Sequence, residues 1–308
     1  MLLYAITAGV ITVMTTPLVA KYMKSHNVCG NDVHKSLEVT IPEMGGISYI
    51  ISLTIVFGLA FVLLHNIKIL GVLMVMLITA AIGAYDDLKG LTQYKKVVLT
   101  AIGGIPLLFF VEDTTINFIV SSIDFYWLYY ILVVLAVSAC SNATNILAGF
   151  NGEEAGLGAI AAFSLGISCI LLGIKIPQLF LFSLCFSLLG FLMYNKYPSY
   201  VFPGDVGTLP IGAVIAVSVI FGKIELLGFI ALLPAITEFF LKFRIKFTGK
   251  EYGPTQVING YLHPPPYLSV ANVLTKTFAL TEKLLVFFLW ILGGICGIIS
   301  IAMAFLMK

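Results

Sequence analysis

Charge is what this chain has least of. Only 10% of its 308 residues are Asp, Glu, Lys or Arg, and its one arginine is Arg244. Soluble domains carry about a quarter charged residues. With 60% hydrophobic residues and a mean hydropathy of +1.06, this chain reads as a membrane protein. A net charge of +2 gives no electrostatic case for a nucleic-acid partner. The five cysteines, Cys29, Cys140, Cys169, Cys185 and Cys296, contain no Cys-x-x-Cys pair. That spacing argues against metal ligation or disulfides and for buried free thiols. No basic stretch precedes the apolar run from Leu2 to Ala20, so the run reads as a first span and not a signal peptide. Low-complexity segments and clear internal repeats are missing too.

Long apolar runs are what the chain has instead. A membrane span needs about 20 apolar residues, fewer where flanking groups snorkel. Ten spans are expected, at about 2–22, 46–65, 67–85, 97–111, 127–141, 156–174, 177–194, 207–222, 225–241 and 284–306. The expected fold is all-α: a polytopic membrane protein forming a single integral-membrane domain over 1–308. Its longest loop, 242–283, is where a small cytoplasmic subdomain would form. Thirteen of the 17 Lys and Arg residues lie in the odd-numbered loops, against Lys68, Lys175 and Lys223 in the even ones. The positive-inside rule then places the odd loops in the cytoplasm and both termini outside. The loop at 112–126, with Glu112, Asp113, Asp124 and no cation, suits the outer side.

The odd loops also carry most of the chemistry. Asp86-Asp87 ends the third apolar run, with Lys89, Lys95 and Lys96 close behind. Carboxylates beside hydrocarbon are costly, so they have a partner or a job; a solvated helix end with local ion pairs is the plainer reading. In Asn142-Ala-Thr-Asn145-Ile-Leu-Ala-Gly149-Phe-Asn151-Gly152-Glu153, two amides one turn apart share a helix face, and the glycines allow close backbone approach. Amides donate and accept, which suits a base edge or the oxygen shell of a metal. Gly204-Asp205 opens the eighth run, where Asp205 reads either as a helix N-cap or as a ligand of a hard cation. Lys35 could meet a phosphate, and Glu43 could belong to a ligand pocket or cap a helix. His263 precedes three prolines that stiffen its loop.

Together these segments resemble the polyprenyl-phosphate N-acetylhexosamine-1-phosphate transferases, of the glycosyltransferase 4 type. The resemblance rests on Asp32-Val-His-Lys35, Ile41-Pro-Glu43, Asp86-Asp87, the asparagine-glycine motif and Gly204-Asp205, in order over residues 30–265. It is nearest the archaeal and eukaryotic dolichyl branch. The resemblance implies that Asn145 and Asp205 coordinate Mg²⁺, with Mn²⁺ as a substitute. It also implies that Lys96 lies near the pyrophosphate and that Asp86, Asp87 and His263 belong to the catalytic set. Lys35, Glu43, Asn142, Gly149 and Asn151 would bind substrate, with the uridine received at Gly149 and Asn151. Eukaryotic relatives place arginines beside that histidine; here proline follows His263.

The implied reaction transfers N-acetylglucosamine 1-phosphate from UDP-GlcNAc to a polyprenyl (dolichyl) phosphate. UMP is released, in the first lipid-linked step of N-glycan or surface-glycan assembly. The partners are the two substrates and membrane lipid, with a homodimer left open. The membrane would be a prokaryotic plasma membrane, archaeal by preference, or the endoplasmic reticulum. The alternatives are an undecaprenyl-phosphate enzyme of cell-wall or polysaccharide synthesis and, from a different class, a transporter. A transporter needs ionisable groups near the midplane, often on broken helices in paired halves; the clearest intramembrane acid, Glu238, lies near a span end, and no such pairing is visible.

Overall fold

The computed structural model describes residues 1–32, 39–147, 149–244, 255–265 and 267–308. Helix α1 (Leu2–Ser25) leads into the short antiparallel pair β1 (Cys29–Asn31) and β2 (Thr40–Pro42), then α2 (Ile47–Leu64), α3 (Ile67–Lys89) and α4 (Gln93–Gly104). A second hairpin, β3 (Thr115–Asn117) with β4 (Ser122–Asp124), precedes α5 (Trp127–Asn145), α6 (Glu153–Leu171), α7 (Lys175–Asn195) and α8 (Asp205–Gly222). Two short helices follow, α9 (Glu225–Ala231) and α10 (Leu233–Arg244). The hairpin β5 (Gln256–Ile258) with β6 (Tyr261–His263), the short α11 (Val270–Thr277) and α12 (Glu282–Leu306) complete the chain.

Among the described residues, eight helices are long and apolar enough to cross a membrane: α1, α2, α3, α5, α6, α7, α8 and α12. This is an integral membrane protein, mostly helical. The expected fourth and ninth spans are not single helices. α4 stops at Gly104 and gives way to a 3₁₀ turn over Ile105–Phe110. Pro106 has no N–H to continue the α-helical ladder, and Gly103-Gly104 before it weakens the helix. The ninth is divided between α9 and α10, where Pro234 likewise removes a donor.

α8 is the axis of the bundle: 83% of its apolar window is buried, more than in any other candidate span among the described residues. It packs on α3, α5 and α7. Lipid tails are as apolar as leucine, so helices associate by close packing, and small residues let backbones approach. Gly83 of α3 lies against the Asp205 carbonyl, leaving no room for a Cβ. That contact brings the last turn of α3 to the first turn of α8. The described parts of the odd-numbered connections meet at this end. Gly45 and Gly46 donate to Phe202 O (2.8 Å) and Pro203 O (2.9 Å), and Asn151 N–H donates to Glu282 (2.9 Å). Lys223 donates to Thr115 O at 3.0 Å in the even-numbered connections. Cys169, Cys185 and Cys296 are buried, and all five cysteines are free.

Candidate active site

Four helix ends converge where α8 begins. α3 carries Asp86 into its last turn, and Gly90, at φ +74°, reverses the chain toward α4. Lys96 then lies in α4 with its ammonium between the carboxylates of Asp86 and Asp205. Asn145, the last residue of α5, completes the cluster. With its amide oxygen turned to Lys96 Nζ at 3.1 Å, its nitrogen reaches Asp205 Oδ1 at 2.9 Å. Lys96 is only 8% exposed. Burial works against its charge, but the charges and hydrogen bonds of Asp205 and Asp86 outweigh it and hold the ammonium above the ordinary lysine value.

Asp87 faces the other way. Its Oδ1 accepts the Asp205 backbone N–H at 2.7 Å and its Oδ2 accepts that of Val206 at 3.0 Å. These are orphan donors at a helix start, so Asp87 caps α8 from a neighbouring helix. Asp205 is therefore not the cap. The N-cap position is Gly204, at φ +67°, where a Cβ would meet Asp87 Oδ2 at 2.7 Å. With its backbone held by Asp87, the Asp205 carboxylate is left to Lys96 and Asn145.

Asn142 and Asn145 do share a face, and both face α4. Asn142 Nδ2 donates to Thr100 Oγ1 and to Ser138 O, each at 2.8 Å. Thr100 lies one turn beyond Lys96, so the two amides form a ladder that sets α4 against α5. Asn142 is 1% exposed and does not line the cavity described next. Asn142 thus lies in the interface between α4 and α5.

A cavity of about 260 Å³ opens beside Asp205. Glu43, Asn145, Gly149, Asn151 and Asp205 all line it, so five of the expected site residues share one wall. Gly149 sits at φ +78°, a left-handed turn that side chains resist. Asn151 is pinned twice, its backbone N–H on Glu282 and its Nδ2 on Asp32 Oδ2 at 3.1 Å. Among the described residues, the lining holds carboxylates and amides but no Lys, Arg or His. Burial, and then the charge of Asp87, pushes the Glu43 carboxyl above its ordinary value. His263 is exposed on β6 and outside the cavity lining. Lys35 lies outside the described residues. Asp32, Glu154, Asn195 and Thr208 line the cavity without having been expected there. Of these, Asp32 opened the motif that ends at Lys35 and Glu154 closed the asparagine-glycine stretch; Asn195 had no motif around it.

A divalent cation can be tested against the donors present. Asp205, Asp86 and the Asn145 amide oxygen are hard oxygen donors, and all three reach one ammonium. Asp86 and Asp205 put two carboxylates against one lysine, a charge imbalance that a divalent cation would relieve. Among the described residues, no three His, Cys, Asp or Glu side chains group as a metal site. One carboxylate and one amide oxygen fit a cation that keeps few protein ligands and fills its shell from water and ligand oxygens, as Mg²⁺ does.

A second cavity, about 320 Å³, is lined almost wholly by apolar side chains of α5, α8, α9 and α10, including Ala139, Ala216, Ile236, Phe239 and Phe240. It borders α5 and α8, the helices whose ends carry Asn145 and Asp205.

A family model described as Glycosyl transferase family 4 matches residues 69–223, the stretch that holds Asp86, Asp87, Lys96, Asn145 and Asp205. The chain is 33% identical over 312 residues to a provisionally named glycosyltransferase of Methanocaldococcus jannaschii, covering 97% of this chain and 95% of that protein. It is 31% identical over 301 residues to a protein of Saccharolobus solfataricus provisionally named UDP-N-acetylglucosamine–dolichyl-phosphate N-acetylglucosaminephosphotransferase, covering 94% and 92%. A phospho-N-acetylmuramoyl-pentapeptide-transferase of Chlorobium phaeobacteroides is 28% identical over 282 residues, covering 77% and 73%.

Proposed function

The chain belongs to glycosyl transferase family 4, and from that premise we propose that it transfers N-acetylglucosamine 1-phosphate from UDP-GlcNAc to a polyprenyl phosphate of the dolichyl type. The observation that carries this reading is the Lys96–Asp86–Asp205–Asn145 cluster, with an acceptor-rich cavity beside Asp205 and an apolar cavity bordering the same two helices. A phosphate oxygen of the lipid attacks the β-phosphorus of the donor. The bond between that phosphorus and the bridging oxygen breaks, and UMP leaves with the electron pair.

The lipid phosphate is already an anion, so the demand on the protein is alignment and charge neutralisation. Asn145 and Asp205 would hold Mg²⁺, which supplies charge neutralisation on the diphosphate when bound. Lys96 provides a fixed positive charge and holds Asp86 and Asp205 in register. The cavity wall offers carboxylates and amide groups to the hydroxyls and N–H of the nucleoside, with Gly149 and Asn151 at the uridine end. The apolar cavity takes the first isoprene units of the acceptor, with Phe239 and Phe240 among its walls. On this reading the site faces the cytosol, by the positive-inside rule. Similarity to the Methanocaldococcus and Saccharolobus proteins supports a prokaryotic plasma membrane, archaeal by preference, over the endoplasmic reticulum.

Similarity to the Saccharolobus protein supports the dolichyl acceptor, and similarity to the pentapeptide-transferase supports an undecaprenyl acceptor as the second reading. The test is UMP release by purified protein given Mg²⁺, a panel of UDP-sugars and either lipid phosphate. Lipid-dependent release with UDP-GlcNAc and dolichyl phosphate is expected. Release only with undecaprenyl phosphate would favour the second reading, and none with any pair would overturn both.

A further inference from the structure

Two buried charges lie outside the chemistry just described. Glu238 and Lys242 sit one turn apart on α10, 2% and 3% exposed, with their charged groups 3.0 Å apart. Each also reaches a different part of the protein. Lys242 Nζ donates to the carbonyl of Ile146 at 2.6 Å, directly after Asn145. Glu238 Oε2 accepts the Val270 N–H at 2.7 Å, the first residue of α11. The cation thus meets a carbonyl at the end of α5, and the anion meets an N–H at the start of α11, as helix dipoles favour.

Burying two charges carries a large desolvation penalty that the pair's own attraction only partly offsets. The pair is therefore weak evidence for stability and better evidence for a geometric role. We infer that Glu238 and Lys242 are positioning residues for the metal site. Lys242 fixes the turn after Asn145, and so the direction of that amide, while Glu238 ties the same point to the segment carrying α11. The inference rests on the metal reading proposed above. α10 also presents Ile236, Phe239 and Phe240 to the apolar cavity, so the helix that walls the lipid site also holds the metal ligand.

The test uses Mn²⁺ as a probe, with its binding to purified full-length protein followed by electron paramagnetic resonance and UMP release as a second readout. Lys242→Met should raise the Mn²⁺ dissociation constant about tenfold, a factor worth about 1.4 kcal/mol. Lys242→Arg, which keeps charge and donors, should recover most of it. Glu238→Gln should weaken Mn²⁺ binding about threefold and speed amide hydrogen exchange at 270–274. Glu238→Gln carries the test if Lys242→Met fails to fold. Folded variants that bind Mn²⁺ as wild type does overturn the inference and leave the metal reading standing. Wild-type protein that binds no Mn²⁺, with Asp205→Ala indistinguishable from it, overturns the metal reading and this inference with it.

Discussion

Asp87 holds Asp205 by its backbone: the first two N–H groups of α8, those of Asp205 and Val206, both end on the Asp87 carboxylate, at 2.7 and 3.0 Å. Adjacent acids in the sequence thus have different work. Asp86 shares Lys96 with the Asp205 side chain, while Asp87 fixes where that side chain starts. Asp87→Asn keeps the volume but sets an NH₂ group against one backbone N–H. An unpaired buried donor costs about 1–3 kcal/mol. If that cost falls on the active arrangement, turnover drops by about 10- to 100-fold, and the thermal midpoint falls with it. Turnover lost with no change in midpoint would instead place Asp87 on the substrate.

Asp205→Ala and Asn145→Ala should abolish UMP release while leaving folded, monodisperse protein in detergent, because each removes a metal ligand under the proposed reading. Lys96→Ala should lose most turnover, since Asp86 and Asp205 would then face each other without their shared cation. Full activity in Asp205→Ala or Asn145→Ala removes the proposed metal site, and an unchanged rate in Lys96→Ala removes the role of its charge.

Asn142 is the contrasting case. Its amide joins Thr100 of α4 and lies away from the cavity, so Asn142→Ala should cost about 1 kcal/mol of stability from a lost hydrogen bond. The KM for UDP-GlcNAc should stay near wild type. Thr100→Val should be destabilising as well, and the double variant should lose less than the sum of the two, as expected for residues in contact. A KM raised tenfold in Asn142→Ala would place this residue in the substrate site.

Much of this was legible before the structure, and the misses have physical causes. Expected spans at 46–65 and 177–194 became Ile47–Leu64 and Lys175–Asn195, because apolar length is a direct reading of what a bilayer demands. The fourth and ninth are divided where Pro106 and Pro234 interrupt backbone bonding without interrupting hydropathy. Hydropathy counts side chains and is blind to a missing N–H. Asp86, Lys96, Asn145 and Asp205 come together because each ends or begins a helix at the same end of the bundle. Asn142 shares that face but lies one turn deeper, a difference that periodicity does not resolve. Glu238 read as the clearest intramembrane acid, near the end of a span. The i,i+4 lysine was visible in the sequence, but its second partner, the Ile146 carbonyl, is a tertiary contact.

Glu43 gives a dependence on pH. Burial and the charge of Asp87 raise its carboxyl above the ordinary 4.5. The folded state thus favours the protonated form more than the unfolded chain does. Glu43 therefore costs stability as pH rises from 4.5 through the raised value, and that cost persists above it. If the ionised form accepts a hydroxyl of the nucleoside, KM for UDP-GlcNAc should rise as pH falls through the same window. Glu43→Gln should abolish that acid limb while raising KM at neutral pH. A KM profile identical in the two proteins would exclude Glu43 from the nucleotide site.

The apolar cavity separates a lipid site from a packing defect. Ala139 is an exposed residue on its wall, so Ala139→Phe fills space without displacing a buried side chain. If the cavity holds the first isoprene units, the bulky ring should raise KM for the polyprenyl phosphate about tenfold and leave KM for UDP-GlcNAc within twofold. A tenfold loss corresponds to about 1.4 kcal/mol, less than two CH₂ groups kept from burial at about 0.8 kcal/mol each. A void with no ligand behaves in the opposite way: filling it adds contacts, so the protein should become no less stable and keep both KM values. Measuring both KM values and the thermal midpoint in one variant therefore decides between the two.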